Sequence, residues 1–359
     1  MSSRVALFLI GLLLLPATRV LAADHAAILL YHHVSIDTPA STSVSPAVFR
    51  KHLEFLASGG YTVMSLSRIL ETLSSGGALP EKTVAITFDD AYKSVLDTAA
   101  PLLAQHGWPF TVFVSTEAID DGYRDYLSWN DLRELMRAGA EIENHSYSHA
   151  HLVRQLPGES LLQWRSRVAA DIQRAGRELY EKLGVKPTMF SYPYGEYTAE
   201  LQKIVGSFGY FGIAQQSGAV DYNFDKLAVP RYPMATNYED MQRFSVSVNS
   251  RPLPVTKVSS GPRILVAGQT NGYRLAFDLA PGEYRLAAFA CYDSGSGSRL
   301  TLNMQHDDGA TRISMQLPNW DAGRRKINCT APSTNDHDVF YWYSHLWLVK
   351  EADGTWYQE

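Results

Sequence analysis

Short apolar runs separated by amphipathic stretches fill the first two-thirds of the chain, and the period of each run assigns its element. β-Branched and aromatic residues concentrate at 28–32, 61–65, 84–88, 110–115, 140–144, 188–192, 210–214 and 227–231, and each run reads as a strand. The stretches between them read as helices. Ser45 and Pro46 supply an N-cap and a first-turn proline, and Gly59-Gly60 ends that helix. Ser128 opens a capping box for a helix through Arg137, and the long polar-faced stretch 159–183 stops at Gly184. Regular strand-helix alternation predicts an α/β fold with a parallel sheet, either open or closed into a barrel.

Past a last helix expected at 237–246, the pattern changes. Residues 249–261 are rich in Pro and Ser and read as a linker. Residues 262–359 alternate β-type runs (284–292, 299–304, 339–349) with turns at Pro281-Gly282 and Asp308-Gly309, as a small antiparallel β-sandwich does. Trp320, Trp342, Trp347 and Trp356 are there either as core or as a sugar-stacking platform. At the other end, Arg4 precedes an apolar run over 5–16 that is too short to span a bilayer, and small residues near Ala22 suit a signal peptidase. The expected organisation is a signal peptide over 1–22, a first domain over 23–248, the linker over 249–261 and the sandwich over 262–359. No membrane span is expected after cleavage.

Composition narrows the partners. A chain of 359 residues with 45% apolar content can bury a proper core, and a net charge of -5 without a long basic run disfavours nucleic acid and anionic membranes. Cys291 and Cys329 are the two cysteines, and in an exported protein they are expected to form one disulfide.

Candidate chemistry collects at strand ends. The run at 84–88 stops at Asp89-Asp90, and adjacent carboxylates repel unless a cation or a proton-transfer task separates their roles. His145 and His149 lie four residues apart; on a helical turn they share a face, so both imidazoles reach one ion. One Asp with two His leaves coordination positions open for water and substrate. His32, Asp89, Asp90, His145, Tyr194 and Arg231 all fall at or just beyond predicted strand ends. A barrel gathers those ends on one face, which favours the closed form.

The motifs TFDD (87–90), HSYSH (145–149) and FSYPYG (190–195), in this order, resemble the polysaccharide deacetylases of carbohydrate esterase family 4, whose core is the NodB homology domain. The resemblance covers about 27–234. LLYHHV at 29–34 and GGYTVMSL at 59–66 point within that family to the branch that deacetylates poly-N-acetylglucosamine in biofilms. The resemblance implies a distorted, incomplete (β/α) barrel in which Asp90, His145 and His149 hold a divalent metal. Zinc is the first choice for that donor set, with cobalt, nickel or iron compatible. By the same resemblance Asp89 is the base, and the backbone N–H of Tyr194 is the oxyanion donor.

Two departures stand out. Ser191 occupies the place of the arginine that in the family orients the base, and Arg231 is the candidate replacement. A late Leu-x-His motif is missing, since 241–248 (MQRFSVSV) has no His, and the branch resemblance makes His32 the general acid. His33, one residue on, faces the other way from a strand. The implied activity is an exported, periplasmic or secreted, hydrolase that removes acetyl groups from N-acetylglucosamine units of a polysaccharide, an exopolysaccharide ahead of peptidoglycan or chitin. Two alternatives stay open: a non-catalytic glycan-binding protein, and an O-acetyl esterase with the same metal chemistry. Trp129 and Tyr147 either line a sugar cleft or pack beneath it.

Overall fold

The computed structural model describes residues 22–236, 240–307 and 309–358. Residues 1–21 of the expected signal peptide, the start of the helix expected at 237–246 and Asp308 of the expected turn lie outside the described residues. The helix that is described runs Met241–Asn249 and is capped by the side chain of Asp240.

Parallel strands lie side by side in the order Phe211–Ile213, Met189–Ser191, Ala140–Asn144, Phe110–Val114, Thr83–Phe88 and His25–Tyr31. Every residue of Thr83–Phe88 is buried. Alternation explains why the run is apolar throughout: Val84, Ile86 and Phe88 pack with Phe49 and Leu53 of helix Pro46–Ser58, whereas Ala85 packs with Ile69 and Leu70 of helix Leu66–Ser74.

The sheet curls toward closure. Ile213 on one edge bridges Val229, and Tyr232–Pro233 pairs in parallel with His25–Tyr31 at the other, so the segment 229–233 bridges first strand and last. This is the distorted (β/α) barrel expected. The continuous strand expected at 227–231 is not formed, because Pro230 and Pro233 lack the N–H that a ladder needs. Ser128 and Ser160 each close a capping box, contributing about 1 kcal/mol apiece, and Gly184 ends helix Leu161–Leu183 at φ 74°.

Two sheets form the C-terminal unit. One orders Val255–Ser259, Arg274–Leu279, Ala310–Gln316 and Asn303–Asp307; the other centres on Phe340–Lys350 and Gly323–Pro332. Phe277, Phe289, Ile313, Ile327 and Trp347 fill the space between them. Cys291 and Cys329 sit directly opposite on paired strands and are disulfide-bonded. The expected linker at 249–261 is instead largely strand: Arg251–Pro252 and Val255–Ser259 each join a sandwich sheet, since a proline at an edge does not prevent its neighbours from pairing.

The tryptophans do not make a platform. Trp320 and Trp347 are buried in the sandwich, Trp342 packs edge-on against Tyr232, and Trp356 lies between Arg154 and Lys350. The two units share a core in which Leu346, Leu348 and Trp356 meet Trp164, Phe190 and Tyr197. No helix among the described residues is long and apolar enough to cross a membrane.

Candidate active site

Strand Thr83–Phe88 delivers two carboxylates with opposite surroundings. Asp89 is fully buried, and Arg231 grips it at two points, Nη1 to Oδ1 at 2.7 Å and Nη2 to Oδ2 at 2.7 Å. The guanidinium is itself completely enclosed: Nε donates to the Ala214 carbonyl at 2.9 Å, and Nη2 also donates to Ser191 Oγ at 2.8 Å. Ser191 passes this on, donating from Oγ to Asp89 Oδ2 at 3.1 Å. Burial alone would raise the Asp89 pKa, but the Arg231 guanidinium outweighs it and holds the carboxyl below its usual range.

Asp90 turns the other way. Both Asp90 and Ala91 have positive φ, 73° and 61°, which swings the second carboxylate off the strand axis. Of the seven non-glycine residues at positive φ among the described residues, Asp90, Ala91, Ser146, His149 and Tyr194 belong to this site or flank it. Strain of about 1–3 kcal/mol per residue persists only where surroundings over-determine the backbone.

His145 and His149 both face Asp90 Oδ1, their Nε2 atoms at 3.1 and 3.0 Å. The expected helical turn is not what brings them together. The segment is a loop with Ser146 and His149 in the left-handed region. Asn144 Oδ1 accepts from the Ser146 amide at 2.8 Å, Ser146 Oγ from the His149 amide at 2.9 Å, and Asp171 Oδ1 from the Tyr147 amide at 2.9 Å. Short polar side chains that bind nearby amides compete with the helix, and here they prevail.

One ligand atom from each of Asp90, His145 and His149 lies within 4.8 Å of the others. Nδ1 of His145 sits 2.8 Å from the Ser191 carbonyl, which can only accept, so Nδ1 carries the proton and Nε2 offers its lone pair. Asp90 Oδ1 and His145 Nε2 are buried and neither makes a hydrogen bond. Two acceptors facing each other in a dry site repel unless a cation lies between them, so the donor set fits a divalent metal.

His32 follows strand His25–Tyr31 and feels the charges of Asp90, Asp89 and His145. Burial lowers its pKa, and the two carboxylates oppose that shift without cancelling it. His33 stacks on Tyr92, with ring centroids 3.6 Å apart. Tyr194 lies at φ 58° in the turn after Pro193, its ring 4.7 Å from His149.

Other candidates fall outside the site. Tyr147 packs under Arg174 at 3.3 Å, and Trp129 donates to Asp120 at 2.9 Å. Sequence reasoning missed the Ser191 hydroxyl as a partner of the base, since the residue registered only as an absent arginine. It also missed Tyr92, whose hydroxyl is raised by burial and by the adjacent Asp90, and Gln215, 3.4 Å from Asp89 Oδ2. Nothing in their local sequence marks either.

Residues 76–213 match the profile of the polysaccharide deacetylase family. The chain is 26% identical over 232 residues to the poly-β-1,6-N-acetyl-D-glucosamine N-deacetylase of Escherichia coli K12, covering 54% of this chain and 34% of that one. It is 23% identical over 218 residues to the Staphylococcus aureus MRSA252 enzyme of the same name, covering 59% of this chain and 75% of that one. Among solved structures, IcaB from Ammonifex degensii superposes with a TM-score of 0.54 and 25% identity, over 60% of this chain and 94% of that one. Over residues 76–213 the chain is thus similar to the polysaccharide deacetylase family.

Proposed function

We propose that the protein is an exported, metal-dependent N-deacetylase that hydrolyses the acetamide of N-acetylglucosamine units in a polysaccharide, releasing acetate and leaving free amines. Buried, hydrogen-bond-free ligand atoms on Asp90 and His145, beside an Arg231-held Asp89, carry the proposal. Bound there, a divalent metal, zinc first among those that suit two imidazoles and a carboxylate, would polarise the acetamide carbonyl and lower the pKa of an attacking water.

Each residue then has one task. Asp89, not used as a ligand and fixed by Arg231, takes the proton of the water. The Tyr194 amide donates to the oxygen that gains negative charge as the carbonyl becomes tetrahedral. His32, protonated, gives a proton to the departing amine nitrogen, without which the C–N bond would expel a poor leaving group.

The relatives from Escherichia coli and Staphylococcus aureus, named for poly-β-1,6-N-acetyl-D-glucosamine, make a β-1,6 exopolysaccharide the proposed substrate. Export is supported by the apolar leader at 5–16 and by the Cys291–Cys329 disulfide, a bond suited to an oxidising compartment. Acetate release from β-1,6 and β-1,4 N-acetylglucosamine oligomers tests the reading. Faster release from the β-1,6 series is expected, and equal or faster release from the β-1,4 series would overturn the linkage assignment.

A further inference from the structure

The C-terminal unit reaches the turn that carries Tyr194 at three neighbouring residues. Arg324, on strand Gly323–Pro332, donates from Nη1 to the Tyr194 carbonyl. Tyr357, near the end of the chain, donates its hydroxyl to Glu196 Oε1. The Arg263 guanidinium lies 4.5 Å over the Tyr197 ring.

Glu196 is the hub of this contact. Its carboxylate is fully buried and is shared between the two units. On the barrel side it faces His151 Nδ1 at 2.9 Å and Arg154 Nη2 at 3.4 Å. His151 in turn stacks flat on the Tyr194 ring, with centroids 3.8 Å apart and planes inclined by 11°. Arg154 also donates to the Tyr357 carbonyl at 3.0 Å and lies 4.7 Å over its ring. The Tyr194 residue thus has its carbonyl held by one sandwich side chain and its ring backed by a histidine whose partner is held by another.

A left-handed tyrosine needs such restraint. Without it, the residue at φ 58° relaxes toward the ordinary right-handed or extended regions, and the peptide N–H rotates with it. An oxyanion donor works only if it is already aimed when charge develops.

We propose that the β-sandwich completes the active site, with Arg324, Tyr357 and Glu196 acting as positioning residues that clamp the 193–196 turn and aim the Tyr194 amide. The proposal rests on the deacetylase reading for the purpose of the turn. The clamp itself can be read without activity. In this role the sandwich acts on the turn directly, whatever glycan it does or does not hold.

The test uses the full chain with Tyr357→Phe, Arg324→Ala and Arg324→Lys. Tyr357→Phe removes one oxygen and leaves the aromatic packing in place, so it folds even if the arginine variant does not. Kinetics on N-acetylglucosamine oligomers are read beside zinc affinity by calorimetry and amide hydrogen exchange. Tyr357→Phe and Arg324→Ala are each expected to lower kcat about tenfold while KM stays within about twofold, as misplacement of a catalytic group does. Zinc affinity stays unchanged, exchange speeds up in 190–197 alone, and Arg324→Lys recovers part of the loss.

Wild-type kcat in both variants overturns the proposal. So does a loss that comes with weaker zinc binding and faster exchange throughout the barrel, which marks general loosening. An inactive wild-type chain refutes the deacetylase reading and the aiming role with it. Unchanged exchange at 190–197 then refutes the clamp as well.

Discussion

Arg231 and Asp89, 142 residues apart in sequence, form a two-point ion pair between two buried side chains. The guanidinium has a second support in the Phe113 ring, 5.3 Å away. Ser191, standing where the resembled family has its arginine, is uncharged and instead bridges Arg231 to Asp89. The positive charge beside Asp89 comes from the 229–233 segment.

Loss of that charge leaves a buried carboxylate unpaired. Arg231→Gln should lower unfolding free energy by about 3–5 kcal/mol. It should also shift the acid limb of kcat/KM upward, because the guanidinium no longer holds the Asp89 carboxyl down. Chemical denaturation and a pH–rate profile check both; an unmoved acid limb would separate Arg231 from the base.

Asp89 and His145 should part company on substitution. Asp89→Asn is expected to abolish acetate release yet retain zinc, whereas His145→Ala should lose both, since its Nε2 belongs to the ligand set. Calorimetric zinc titration of the two variants decides. Near-normal turnover by Asp89→Asn would remove it as the base.

The His32 pKa sets the alkaline side. As general acid the residue must be protonated, and burial holds its pKa below the ordinary 6.5. Activity should therefore fall as pH rises through that lowered pKa, with the decline complete by the weakly alkaline range. His32→Ala should flatten this limb while lowering kcat about a hundredfold; a limb that survives the substitution belongs to another group.

Much of this site was legible from the chain, for reasons that differ by residue. Asp89, Asp90 and His32 follow continuously buried apolar strands, and the point where such a run turns polar marks its end. Serine caps, Gly59 and Gly184 marked helix ends because the chemistry of a cap is local. The loop holding His145 and His149 was read as a helical turn, because its i, i+4 spacing suits both. The amides there are taken by Asn144 and Ser146 nearby and by Asp171, 24 residues from Tyr147, and the last contact leaves no local pattern. Likewise the sandwich's grip on Glu196 through Tyr357 spans 161 residues and leaves no local pattern.

Reduction of Cys291–Cys329 should act on stability alone. The bond closes a loop of sequence separation 38, which by chain entropy contributes about 4 kcal/mol. Thermal melting with and without reductant should show a lowered Tm, with little change in kcat at a temperature where the reduced chain stays folded. An unchanged Tm would mean that strand pairing alone holds the sandwich.

On the proposed reading, Asp90, His145 and His149 hold a metal without which no acetyl group is removed. The most direct measurement is acetate release from β-1,6 N-acetylglucosamine oligomers by the full chain, after exhaustive chelation and again after zinc or cobalt is restored. Release that stops on chelation and returns with metal is the predicted result. Release that continues undiminished in the metal-free chain, or none at any metal loading, would contradict it.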